Sequence, residues 1–71
     1  NDRIMRRLQG EVLLELGEAE DAVAALGPLY RESPDDLDVL LPLGEALLEI
    51  GHYSEAEGVL ARAAARAAWT S

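Results

Sequence analysis

The chain has no cysteine and no lysine. Without cysteine there is no disulfide or thiolate-bound metal to staple the fold, and the redox compartment is left open. Aromatic side chains are scarce, Tyr30, Tyr53 and Trp69 being the whole set. No apolar run approaches the roughly 18–20 uncharged residues of a membrane span, so membrane insertion is not expected. No basic n-region leads into an apolar stretch as in a signal peptide, which favours the cytoplasm as the expected compartment. With lysine absent, positive charge rests on six arginines against fourteen acids, a net charge of −8. So acidic a surface repels phosphate backbones, and Arg3, Arg6 and Arg7 form only a short basic cluster. Nucleic-acid binding is therefore not expected. His52 is the single histidine, with no base–nucleophile pairing evident around it. The Asp-x-Asp-x-Asp-Gly loop of a calcium site is missing too. Catalytic residues, cofactors and metal are all expected to be absent, and a free-standing enzyme is the least supported reading.

What remains is an ordinary foldable composition, 49% hydrophobic and 28% charged over 71 residues. It makes one small domain, residues 1–71, which buries roughly 60% of the surface its unfolded form exposes. Its core must come from helix packing, from self-association or from protein beyond this segment. The chain opens at Asn1 and stops at Thr70-Ser71 just after a helical pattern, so it reads as a piece of a larger protein. Alanine and arginine richness without lysine points to a GC-rich bacterial gene.

Apolar spacing predicts four helices. Ile4, Met5, Leu8, Val12, Leu13 and Leu16 recur at three- and four-residue steps, with Gly17 placed to end the first. The second runs from about Glu20, with Ala22, Leu26, Leu29 and Tyr30 on one stripe, to Ser33-Pro34. The third starts near Asp36, carries Leu37, Leu40, Leu43, Leu47 and Ile50, and ends at Gly51. An earlier start, with Pro34 in the first turn, is the alternative. The fourth begins at Ser54, where Ser54-Glu55-Ala56-Glu57 reads as a capping box, and carries Ala56, Val59, Leu60, Ala63, Ala64 and Ala67. Pro28 and Pro42 fall inside the second and third, where a kink or local break is expected. Tyr30 and Tyr53 are expected to pack at turns and helix ends. Trp69 has little local core to fill.

Gly10-Glu11-Val12-Leu13-Leu14-Glu15-Leu16-Gly17 returns 34 residues later as Gly44-Glu45-Ala46-Leu47-Leu48-Glu49-Ile50-Gly51. Ala22 returns as Ala56, Leu26 as Leu60, and Asp21 as Glu55. Such a period marks a stacked repeat, whose units bury their apolar faces only on neighbours. Leu40-x2-Leu43-Gly44-x2-Leu47, then Ala56-x3-Leu60, resembles the tetratricopeptide repeat. Gly10-x2-Leu13, Ala22-x3-Leu26 and Pro34 repeat the likeness in a first unit. Gly10 and Gly44, with Ala22 and Ala56, are read as small residues that let paired helices approach. Arg6 and Gln9 depart from the pattern, which makes the opening helix degenerate or an end cap, and Ala68 replaces the second closing proline, so the last helix is expected to run on toward Trp69. The resemblance implies an all-α fold of antiparallel helix–turn–helix repeats, a short right-handed α-solenoid of about four helices. Unit one would span about residues 3–36 and unit two about 37–70.

In that family the first helix of each unit lines a concave groove. The resemblance thus assigns Ile4, Arg7, Glu11, Leu14 and Glu15 to the groove from unit one. Unit two would add Asp38, Leu41, Glu45, Leu48 and Glu49. Leu14, Leu41 and Leu48 would form an apolar floor with an acidic rim, suited to a basic peptide or protein. Members that clamp a partner's C-terminal carboxylate use lysine and asparagine. Here Glu11 and Glu45 take the asparagine positions, so that ligand is not expected. The leading expectation is a protein-interaction or scaffolding module. The alternatives are a homo-oligomerisation module, which would cover end faces such as Ala64 and Ala67, and an accessory domain of a larger enzyme.

Overall fold

The computed structural model describes residues 2–70. These form four α-helices and no strand: α1 Asp2–Glu15, α2 Ala19–Glu32, α3 Leu37–Glu49 and α4 Tyr53–Thr70. The all-α helical repeat expected from the sequence is the fold. Each helix packs on the next in the chain, and α1 also touches α3. Short connections make neighbours antiparallel, so α1 and α3 run side by side in one layer with α2 and α4 in the other.

The turn inside each unit is built identically. Gly17 and Gly51 sit at φ 82° and 84°. Gly17 N–H donates to the Leu14 carbonyl and Glu18 N–H to that of Leu13, at 3.1 and 2.9 Å. Gly51 and His52 repeat this on Leu48 and Leu47. Paired bonds of this kind close a helix end through one left-handed residue, a conformation that costs glycine almost nothing. Between the units, Asp36 caps α3, its carboxylate accepting from Asp38 N–H at 3.0 Å. The earlier start at Pro34 does not occur, since Ser33–Asp36 form a turn.

Leu26, Leu29, Val39, Leu40, Leu43, Leu47, Ala56, Val59 and Ala63 form the main core cluster. A smaller one joins Ala19, Ala22 and Ala46. Pair closeness depends on two glycines, as the sequence implied. A Cβ on Gly10 would lie 2.5 Å from Leu26 Cγ, and one on Gly44 would run into Leu60 Cδ2. Gly58 differs, having nothing within 4 Å of an added Cβ on the exposed side of α4. Gly58→Ala should therefore raise stability by about 0.5–1 kcal/mol, through backbone entropy alone. A urea midpoint that falls instead would contradict this.

Several expectations are corrected. Pro28 and Pro42 do not break α2 and α3, which run helical through both. Buried Leu26 and Leu29 flank the one proline, and buried Leu40 and Leu43 the other. Burying each leucine is worth about 1.5–3 kcal/mol, enough to outweigh the roughly 3 kcal/mol proline penalty. The Ser54 capping box is not formed. The helix begins at Tyr53, with the His52 carbonyl accepting from Ala56 N–H at 2.9 Å, so Ser54 is already inside it. Tyr30 packs on the core as expected, but Tyr53 is exposed. On α1, Met5, Leu8 and Val12 face outward, as does Leu16 in the turn after it, while Leu13 turns toward the interior. Trp69 is 86% exposed.

Candidate functional site

Helices α1 and α3 repeat one surface pattern thirty-four residues apart. Arg7, Glu11, Leu14 and Glu15 lie at helical steps of four, three and one, which keeps them on one side of α1. Leu41, Glu45, Leu48 and Glu49 hold the same positions on α3. Two adjoining depressions lie between the helices. The first, about 310 Å³, is lined by Arg7, Glu11, Leu14, Glu15, Leu37, Asp38, Leu41, Pro42 and Glu45. The second, about 470 Å³, shares Leu14, Glu15 and Glu45 and adds Leu48 and Glu49. Nine of the ten residues assigned to a groove by resemblance thus line one continuous hollow. Ile4 lines neither part.

Leu37 and Pro42 were not assigned to the groove from the sequence. Leu37 stands one turn before Leu41 on the same face, a spacing that could have found it. Pro42 was read only for its effect on the backbone.

Apolar surface in the hollow comes from half-buried Leu14 with Leu41 and Leu48, which are 52% and 43% exposed. Around them stand the carboxylates of Glu11, Glu15, Asp38, Glu45 and Glu49, against the single guanidinium of Arg7. Arg7 Nη1 donates to Glu11 Oε2 at 2.7 Å, one helical turn away. That contact relieves the like-charge pair Glu11/Glu15 in unit one. In unit two the counterpart of Arg7 is Leu41, so Glu45 and Glu49 repel with no such relief. Glu15, Asp38, Glu45 and Glu49 make no ion pair with any described residue. Negative charge in the hollow is therefore concentrated toward α3.

The remaining arginines of the N-terminal cluster are engaged. Arg3 donates to Asp36 Oδ2 at 3.1 Å and to Glu32 Oε1 at 3.4 Å, and Arg6 approaches Glu32 at 3.9 Å. They tie the start of α1 to the end of α2 and the cap of α3. Arg62 does likewise for α4, reaching Asp35 at 3.1 Å. His52 lies in the second turn, exposed, 3.4 Å from Glu55. No group of three metal-ligating side chains converges among the described residues. No helix of the described residues is long and apolar enough to cross a membrane.

A family model for the tetratricopeptide repeat matches residues 13–68, most of the chain. The chain belongs to the tetratricopeptide repeat family. The matched span opens partway along α1, beyond Arg6 and Gln9, where the sequence departs from the family pattern. No curated protein and no solved structure gives a significant match. Tetratricopeptide repeats generally mediate protein–protein interactions and are typically non-catalytic modules. Protein partners are accordingly what membership of the family indicates.

Proposed function

We propose that this tetratricopeptide repeat module binds a peptide segment of a partner protein in the hollow between α1 and α3. The segment carries arginine or lysine beside leucine-like anchors. One observation carries the reading. Acids from both helices surround Leu14, Leu41 and Leu48, and four of the five make no ion pair with any described residue. Carboxylates that repel one another across a shared hollow cost stability, and a cationic ligand removes that cost. The leucines supply the apolar contact that fixes register, since exposed charges alone mainly set on-rate and selectivity.

A fluorescent amphipathic peptide of leucine and arginine, titrated with the 71-residue chain, tests this by anisotropy. Reversing Glu15, Glu45 and Glu49 to lysine together should weaken binding about tenfold, or roughly 1.4 kcal/mol. Glu11 is left in place so that its contact with Arg7 survives. Raising salt should weaken the wild-type complex and not the reversed one. Equal affinity of both proteins for the peptide would sink the proposal.

A further inference from the structure

Charge is sorted along the helix axes. Neighbouring helices alternate in direction, so the starts of α1 and α3 share one end of the molecule with the finishes of α2 and α4. All six arginines belong to that end. Arg3, Arg6 and Arg7 lie in the first half of α1, Arg31 near the close of α2, and Arg62 and Arg66 in the second half of α4. Five acids accompany them, Asp2, Glu32, Asp35, Asp36 and Asp38, so this end carries a net +1. The opposite end, at the two glycine turns, holds the other nine acids and no arginine, a net −9.

The hollow between α1 and α3 runs along this gradient. Toward the arginine end its charges are Arg7 and Asp38, which cancel. Toward the turns they are Glu11, Glu15, Glu45 and Glu49, of which Arg7 reaches Glu11. Glu15 and Glu49 are the last residues of α1 and α3, which run parallel and so bring their negative poles to the same end. Neither helix has a basic residue in its last turn to offset that pole. With fourteen residues, α1 spans about 21 Å. Exposed charges act over only roughly 8–10 Å at ordinary salt, so the two ends of the hollow are distinct electrostatic regions. The apolar floor serves both, with Leu37 and Leu41 in one half and Leu14 and Leu48 in the other.

Given the hollow as the binding site, we infer that the partner segment is itself asymmetric in charge and lies in one orientation. Its arginines or lysines are gathered at one end, and that end lies at the glycine turns. Its other end, apolar and uncharged, lies beside Leu37 and Leu41. Cations placed there would meet a balanced pair of charges and the positive poles of α1 and α3.

Trp69, the sole tryptophan, stands at the arginine end of α4 and serves as an internal energy-transfer donor. Two peptides of one sequence, leucines followed by a terminal block of arginines, carry a dansyl group at the leucine end or at the arginine end. Titration of the 71-residue chain with each gives affinity by anisotropy and proximity by transfer from Trp69. Transfer should be stronger with the label at the leucine end. Glu49→Gln should weaken binding about threefold, the size of one exposed ion pair, and Asp38→Asn should weaken it less. Equal transfer from both labels, or stronger transfer to the arginine-end label, overturns the orientation while leaving the hollow as the site. A greater loss from Asp38→Asn than from Glu49→Gln overturns it too. A peptide with serine in place of every leucine should bind severalfold more weakly. Equal affinity for that peptide, or no binding of any peptide, overturns the hollow as the site and the orientation with it.

Discussion

Leu26→Ala is expected to remove about 2–5 kcal/mol of unfolding free energy. Leu26 is fully buried and belongs to the main core cluster, with side chains from α2, α3 and α4. It also lies directly beneath Gly10, so it joins α1 to the rest. A domain of 71 residues has only about 4–10 kcal/mol in total, by the usual per-residue stability. The variant should therefore be partly unfolded at room temperature, with a much lower urea midpoint and an unchanged slope if it remains two-state. A midpoint shift worth under about 1 kcal/mol would mean that the surroundings collapse onto the vacancy or that α1 is scarcely attached there.

Gly10→Ala should destabilise by about 1–3 kcal/mol, despite the gain of roughly 1 kcal/mol in helix propensity that alanine brings. The added methyl would sit 2.5 Å from Leu26 Cγ, and Leu26 is enclosed on its other sides. Gly44→Ala meets Leu60 in the same way, but Leu60 is only half-buried and can turn toward solvent. Its cost should be the smaller of the two. Combining Gly10→Ala with Leu26→Ala separates sterics from backbone effects. The methyl then enters space the leucine has left, and a favourable coupling of about 0.5–3 kcal/mol is expected from a double-mutant cycle. Additive losses would show that Gly10 is needed for something other than this contact.

Where the fold was legible in the sequence, the reason is that one residue type suits one position. Gly17 and Gly51 end their helices because only glycine enters the left-handed region without strain. Asp36 is a cap because a short carboxylate reaches the open N–H groups of the first turn. The repeat made Gly10 and Gly44 readable as points of close approach, since both copies keep them. Other features depended on competition that spacing cannot weigh. Ser54 has the chemistry of a cap, yet the second turn delivers the His52 carbonyl first and the helix starts a residue before it. Pro28 and Pro42 are breakers locally and are overruled by leucines on either side. The stripe on α1 has helical periodicity, but periodicity does not say whether a neighbour exists to cover it. The positions around the hollow came from register with a known repeat. The tie between Arg7 and Glu11, which leaves α3 the more acidic wall, needed coordinates.

The four helices are not equally anchored. Gly10 is the only residue of α1 to be buried, whereas α3 buries six. One bank of the hollow thus buries far less of itself than the other. Whatever bridges that bank to the other acts as a splint, and its occupancy lends the molecule a resistance to opening that grows with the logarithm of its concentration.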